Sequence, residues 1–94
     1  MSQALTDQQV QDALTQLPGW AHSNNKIKKT FERQDFKDAL SFIVRLGLHA
    51  ECMDHHPELF NVYNRVVIEL TTHDAGNRVT QKDINLATAI ESIA

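Results

Sequence analysis

The chain has 94 residues, which is the length of one domain, and we expect residues 1–94 to form a single domain. Its 41% hydrophobic and 22% charged residues are typical of a soluble globular protein. Its formal net charge is −3, so the chain lacks the overall positive charge that favours binding to nucleic acids or anionic membranes. One cysteine excludes an internal disulfide, no apolar run reaches membrane-spanning length, and the opening MSQALTDQQV lacks the features of a secretory signal, so we expect a cytoplasmic location.

The first third of the chain predicts a helix followed by a β-hairpin. Thr6 and Gln9 have the spacing of a capping box at the start of a helix over residues 6–16, and the Pro-Gly pair at 18–19 ends this helix. Within residues 20–33 the sequence SNNK is a turn signal, because asparagine tolerates positive φ better than most residues. We therefore expect an antiparallel strand on either side of this turn.

The helix predicted over residues 36–53, with Asp35 as its N-cap, has a wide apolar face. Its apolar residues cover roughly 240° of the helical wheel, whereas packing on one sheet needs a stripe of about 100°. The excess predicts a second helix packed against it together with a subunit interface. Glu51 lies inside this arc, so its carboxylate either has a partner or leaves the arc where the last turn emerges into solvent. The apolar residues of the arc are Phe36, Ala39, Leu40, Phe42, Ile43, Val44, Leu46, Leu48, Ala50 and Met53.

The last third of the chain predicts a second hairpin and a third helix. Residues 58–72 alternate apolar and polar side chains and turn near Asn64. Thr80 caps a helix over residues 81–93, and Asp83 completes its capping box. The resulting order, α-ββ-α-ββ-α, predicts an α+β fold in which three helices pack on one face of a four-stranded antiparallel sheet.

Histidines occur in two of the predicted loops. The sequence DHHP (54–57) follows the long helix, which must end by about Asp54 because Pro57 biases the residue before it toward extended backbone. The sequence TTHD (71–74) places His73 at the end of the last strand. The hairpin between the two loops could return His73 toward His55 and His56, and loops on a rigid frame commonly carry function.

Three interpretations of these histidines are open. Imidazoles suit zinc, with Cys52 or Asp54 as a further ligand, although no HxH or HxxxH spacing is present. They could instead fill surface turns and polar cavities. Alternatively, they could act in acid–base catalysis, because an imidazole with a pKa of about 6.5 gains and loses protons near neutrality. No motif indicates a nucleophile or a phosphate-binding loop.

The sequence DHHPELFNVYNRVVIELTTHD, followed by KDINLA, resembles the pterin-4a-carbinolamine dehydratase family. The resemblance runs from about Leu5 to the C-terminus and includes LPGW. It implies a small α+β domain that assembles into homodimers or homotetramers through sheet edges and the long helix. It also implies dehydration of 4a-hydroxytetrahydropterin to quinonoid dihydropterin, without a metal or other cofactor, to regenerate the pterin used by aromatic amino acid hydroxylases.

The resemblance also implies the residues of the site. His55, His56 and His73 would be catalytic, with His56 and His73 as first choices for proton transfer and His55 for binding and orientation. Many members have tryptophan where this chain has Leu59, which puts the pocket wall and the pterin preference in question. The implied substrate-binding residues are Glu51, His55, His56, Pro57, Thr72, His73, Asp74 and Ala75.

A rival interpretation is a non-catalytic dimerisation module of the transcriptional-cofactor type. Some relatives also act as dimerisation partners of a transcription factor, through the same helix surface. The relevant feature here is the wide apolar face of residues 36–53, which self-association already accounts for.

Overall fold

The computed structural model describes residues 3–94. Three α-helices, four strands and one short 3₁₀ turn follow one another in the predicted α-ββ-α-ββ-α order. In chain order these elements are α1 (Asp7–Leu14), β1 (Ala21–Ser23), β2 (Lys26–Glu32), α2 (Phe36–Cys52), β3 (Glu58–Val62), β4 (Arg65–Leu70), the 3₁₀ turn (His73–Ala75) and α3 (Gln81–Ile93).

The four strands form one antiparallel sheet in the order β1-β2-β4-β3, so β1 and β3 are its edges. The register opposes Ile27 to Leu70 on the two central strands and Glu58 to Glu69 at the β3 edge, both at the same end of the sheet. Because β3 and β4 are antiparallel, the residues that precede β3 and those that follow β4 lie at the same end of the sheet. This end carries both histidine loops.

The predicted helix starts are confirmed. Thr6 and Gln9 form a reciprocal capping box, with hydrogen bonds of 2.8 and 3.1 Å, and Asp35 accepts a 2.8 Å hydrogen bond from Asp38 N. Helix α1 ends at Leu14, two residues before the predicted end, because the backbone of residues 15–17 forms tighter turns with i−3 carbonyls. The other predicted bounds agree with the structure to within about two residues.

The core lies on one face of the sheet, which the three helices cover. Helix α2 buries one narrow stripe and packs against α3 and β4. The outward-facing residues of β2, such as Lys28 and Thr30, are exposed on the opposite face. The buried stripe of α2 consists of Ala39, Phe42, Leu46 and Ala50.

Helix α2 also has a second apolar stripe that residues 3–94 leave uncovered. Phe36, Leu40, Val44 and Leu48 repeat at intervals of four residues and are between 48% and 64% exposed. The second helix predicted from the wide apolar arc is therefore present as α3, while the subunit interface stays a prediction. Over residues 3–94, none of the helices has the length and apolar character needed to cross a bilayer.

Candidate active site

The two histidine loops meet around one cavity of about 440 Å³ at the shared end of β3 and β4. A cavity of similar size, about 490 Å³, lies between residues 3–9 and 80–82, but its described lining has no imidazole or carboxylate. Chemistry therefore points to the first cavity. Its lining consists of Asp54, His55, His56, Pro57, Glu58, Thr71, Thr72, His73, Asp74 and Lys82.

The end of α2 sets the direction of the first loop. Asp54 has a left-handed backbone, with φ of 50°. Asp54 N donates to Glu51 O, and His55 N donates to Ala50 O, both at 3.1 Å, which is the hydrogen-bond pattern of a Schellman motif. Glycine is the usual residue at the left-handed position, and aspartate is one of the few alternatives. This turn reverses the chain and carries His55 into the interior.

His55 is buried against a carboxylate that the sequence analysis did not assign to the site. Its Nε2 lies 2.6 Å from Asp83 Oδ1, and Asp83 is fully buried at the start of α3. The second oxygen of Asp83 accepts hydrogen bonds from Thr72 Oγ1 at 2.8 Å and Thr80 N at 2.9 Å. Because a carboxylate here only accepts, Nε2 of His55 is the donor and Nδ1 is left as the acceptor in the neutral ring.

Asp83 was missed because its local sequence already explains it. An aspartate three residues after Thr80 completes a capping box, and the structure confirms that box. The contact with His55 joins residues 28 positions apart, so no spacing rule indicates it. The one available signal was that a buried histidine needs a partner.

His56 points the other way and is largely exposed. Its Nε2 lies 2.7 Å from Glu51 Oε1, and the two side chains are 61% and 78% exposed. The partner expected for Glu51 is therefore an imidazole, but the pair lies in solvent and not within a buried apolar arc. Glu51 is not part of the cavity lining, and it reaches the site only through His56.

His73 begins the 3₁₀ turn and is also exposed. Its Nδ1 lies 2.7 Å from Asn77 Oδ1, so Nδ1 carries the proton in the neutral ring and Nε2 is the acceptor. Ala75 ends the same turn but does not line the cavity. Each of the three rings thus has one nitrogen within hydrogen-bond distance of a carboxylate or amide oxygen.

Fixed charges around the cavity occur mostly in opposite pairs. Lys26 Nζ lies 3.0 Å from Glu58, and this hydrogen bond raises the pKa of Lys26 above its ordinary value. Lys82 Nζ lies 3.9 Å from Asp74 Oδ2 at the rim. The carboxylates Glu58 and Asp74 at the rim of the cavity therefore each have a lysine within 4 Å.

We next consider the metal interpretation of the histidines. Within residues 3–94, no three His, Cys, Asp or Glu side chains converge as metal ligands. Cys52, a suggested ligand in the metal interpretation, is exposed on α2 and does not line the cavity.

Comparison with known proteins gives relatives along the whole chain. A family model described as pterin 4 alpha carbinolamine dehydratase matches residues 3–93. The chain belongs to this family. Curated relatives from Opitutus terrae and Rhodopseudomonas palustris, whose names contain the words pterin-4-alpha-carbinolamine dehydratase, are 45% identical over 94 residues and 49% identical over 96 residues. Both alignments cover 100% of this chain, and they cover 97% and 94% of the relatives.

One similar crystal structure is that of a transcriptional coactivator/pterin dehydratase from Brucella melitensis. It has a TM-score of 0.92 and 41% sequence identity, and the match covers 97% of this chain and 98% of that chain. Membership of the pterin carbinolamine dehydratase family and the α+β fold, both expected from the sequence, are thereby confirmed.

Proposed function

We propose that this chain dehydrates 4a-hydroxytetrahydropterin to quinonoid dihydropterin and water by acid–base catalysis with His55, His56 and His73. The observation that carries the proposal is the convergence of the three imidazoles on one cavity, each with one nitrogen held by a partner, in a chain of this family. The names of the curated relatives support the same reaction.

The reaction requires one acid and one base. Hydroxide is a poor leaving group, so an imidazolium donates a proton to the 4a-hydroxyl oxygen as the C4a–O bond breaks. The lone pair on N5 forms the C4a=N5 double bond, and a neutral imidazole takes the proton from N5. Each proton transfer typically contributes about 10²–10⁴-fold to the rate.

The geometry suggests how the roles divide. His56 and His73 are exposed to the cavity opening and to solvent, which suits groups that exchange protons with water after each turnover. His55 is held by the fully buried Asp83 and suits binding and orientation of the pterin. Glu51 would hold the ring of His56 in position from outside the cavity.

The pterin would lie against the two loops. Its amino and carbonyl groups need donors and acceptors, which the carbonyls of Pro57 and Thr72 and the backbone and carboxylate of Asp74 would supply. Ala75 lies outside the cavity lining and would contribute by ending the turn that carries Asp74. The Thr72 hydroxyl is already bonded to Thr80 and Asp83, and the Thr72 N–H donates to Arg78 O, so Thr72 would contribute through its carbonyl oxygen.

The cellular setting is part of the same proposal. The resemblance suggests that a cytoplasmic homodimer or homotetramer regenerates pterin for an aromatic amino acid hydroxylase. The uncovered apolar stripe of α2 supports assembly, because apolar patches of this kind mark interaction sites. An interaction module of the coactivator type is less favoured, since it gives no reason for the histidine cavity.

The His56→Ala variant tests the proposal through direct measurement of 4a-carbinolamine dehydration. We expect the rate to fall roughly 10²-fold, because one proton-transfer group is lost. His49→Ala is the matched control, since His49 is exposed on α2 and outside the cavity lining. Equal and negligible rates for wild type and His56→Ala would refute the enzyme assignment.

A further inference from the structure

The loop that carries His73 is closed at its base by a backbone bridge. Thr72 pairs with Arg78 in an isolated antiparallel bridge, in which Thr72 N donates to Arg78 O at 3.0 Å. Thr72 is buried, and so is Val79, which follows the bridge, with exposed fractions of 2% and 3%. Both ends of the loop are therefore anchored in the protein interior, and residues 73–77 extend from the bridge.

His73 and Asn77 are the first and last residues of this loop. Residues next to a bridged pair on the loop side lie close to each other, as cross-strand neighbours do in a sheet. Between them the chain makes a 3₁₀ turn, in which Gly76 N donates to His73 O at 3.1 Å. The closed loop thus brings the two side chains together, with Nδ1 of His73 2.7 Å from Oδ1 of Asn77.

The backbone at position 77 would suit glycine as well as asparagine. Gly76 and Asn77 both have a left-handed backbone, with φ of 74° and 59°. Glycine adopts this conformation most readily, and asparagine is one of the few other residues that tolerate it. The turn alone therefore accounts for a residue of either type, whereas the contact with His73 needs the amide oxygen of asparagine.

This contact selects the nitrogen of His73 that presents a lone pair. A neutral imidazole carries one proton, and a free histidine side chain in water prefers to carry it on Nε2. The oxygen of Asn77 accepts a hydrogen bond only from a protonated Nδ1, so it favours the opposite tautomer. Nε2, the ring nitrogen farther from the backbone, is then the proton acceptor.

Asn77 differs in charge from the partners of the other two cavity imidazoles. Asp83 and Glu51 are carboxylates, and they contact Nε2 of His55 and of His56. A carboxylate favours the cationic form of an imidazole, because opposite charges attract. A neutral amide selects the tautomer with less bias toward the cation, which suits a ring that must be neutral in order to accept a proton.

We propose that Asn77 is a positioning residue, which holds His73 in the Nδ1-protonated tautomer so that Nε2 accepts the proton from N5 of the pterin. This inference rests on the proposed function, because it assigns His73 as the base of that reaction. The electron pair of the broken N5–H bond stays on N5, and the ring becomes an imidazolium. Its Nδ1–H remains bonded to Asn77, and its Nε2 proton passes to solvent, to which His73 is exposed.

NMR of histidine-labelled protein measures the tautomer of His73 directly. Spectra are recorded roughly two pH units above the ordinary imidazole value, where imidazoles are neutral, and His73→Gln assigns the signal. We expect Nδ1–H in the wild type and Nε2–H in Asn77→Gly, because glycine keeps the left-handed backbone and removes the acceptor. The same tautomer in both proteins would overturn the proposal.

The rate of 4a-carbinolamine dehydration gives the consequence for catalysis. Asn77→Gly should lower kcat roughly three- to tenfold, which is the modest effect expected of one exposed hydrogen bond. KM should stay within about twofold of wild type, because Asn77 does not line the cavity. The melting temperature should change little, so that a lower kcat does not reflect unfolding. A reversed tautomer with the wild-type kcat would overturn the proposal.

Asn77→Asp is the conservative variant that keeps an acceptor in the same place. It should retain the Nδ1–H tautomer, because a carboxylate also only accepts. Its charge favours the imidazolium, so the neutral base appears at higher pH, and the acid limb of the pH–rate profile should rise by about half a unit to one unit. An unshifted acid limb would overturn the proposal. The other titratable and charged residues that line the cavity are the same in every variant: Asp54, His55, His56, Glu58, Asp74 and Lys82.

Asn24→Gly is the matched control for the loss of an asparagine from a left-handed position. Asn24 has φ of 52° and is exposed, but it lies in the turn of the first hairpin and does not line the cavity. The replacement should leave the His73 tautomer and kcat unchanged. A fall in kcat equal to that of Asn77→Gly would overturn the specific role of Asn77.

The tautomer measurement also separates this proposal from the proposed function, because it needs no turnover. A wild type without dehydratase activity, whose His73 tautomer still reverses in Asn77→Gly, would refute the reaction and support the control of His73 by Asn77. An active wild type whose tautomer and kcat both survive Asn77→Gly would refute only the positioning role.

Discussion

At the scale of single residues, the site depends on how Asp83 divides its two carboxylate oxygens. Oδ1 accepts a hydrogen bond from His55 Nε2, and Oδ2 accepts hydrogen bonds from the Thr72 hydroxyl and the Thr80 backbone N–H. One buried carboxylate thus starts α3 and fixes the orientation of an imidazole in the cavity. Local folding and the chemistry of the site share this residue.

Asp83→Asn should lower both stability and activity. The amide has one oxygen and therefore cannot accept from both His55 and the Thr80 backbone, so a buried donor loses its partner at a cost of about 1–3 kcal/mol. Thermal unfolding and the pH profile of the dehydration rate measure the two effects. Thr80→Ala is the control, because it removes a cap at about 1 kcal/mol and leaves the His55–Asp83 contact in place. An Asp83→Asn enzyme with the rate and pH profile of Thr80→Ala would contradict the positioning role.

At the scale of elements, the start of α2 has a charge arrangement that makes stability depend on pH. Asp38 lies in the first turn, and the backbone N–H of Gln34, together with the Arg33 side chain, lowers the pKa of its carboxyl below the ordinary 3.8. A carboxyl with a lowered folded-state pKa stabilises the fold above its unfolded pKa, and this stabilisation is lost as pH falls through the folded value.

Asp38→Asn should therefore make the stability of the fold depend less on pH in the acid range. Its melting temperature is expected to lie below that of wild type at neutral pH, and the two should converge as pH falls below about 4. Melting curves from neutral pH to strong acid give the comparison. A constant difference across that range would show that ionisation of Asp38 does not contribute.

Helices and turns could be predicted from the sequence because their determinants are local. The capping pairs Thr6–Gln9 and Thr80–Asp83 lie three residues apart, and the apolar repeat of α2 follows from its period. The site could be predicted only in part. The hairpin between the loops at 54–57 and 71–74 indicates that His73 could return toward His55 and His56, and the resemblance supplies the chemistry of these residues.

The side-chain partners within the site could not be predicted from residue spacing, because they depend on tertiary contacts. The His55–Asp83 pair joins the end of α2 to the start of α3. The partner of Glu51 is His56, five residues on, across a turn whose geometry a left-handed Asp54 sets. Positive φ at Tyr63 runs against its residue type, so no propensity rule indicates it.

At the scale of the whole molecule, two apolar surfaces are left uncovered: the outer stripe of α2 and the edge of β3. Contiguous exposed apolar surfaces mark interaction sites, so these two surfaces support the assembly proposed above. Two distinct surfaces would allow a dimer through one and a tetramer through both.

Val44→Lys should yield a smaller assembly than wild type, because it disrupts the contacts that the α2 stripe would make between subunits. Val44 is 56% exposed, so a lysine there leaves the monomer fold intact but introduces a charge that the interface would have to desolvate. Sedimentation is the measurement, and Thr88→Lys on the exposed side of α3 is the control. An assembly of unchanged size would contradict an interface at this stripe.

The left-handed turn at Asp54 has a consequence for chain length. His55 and His56 follow it in succession, one ring buried and the other exposed, because neighbouring side chains on extended backbone point to opposite sides. One residue gained or lost between Asp54 and Pro57 would exchange the environments of the two rings and separate both from their carboxylates. This connection therefore has a fixed length.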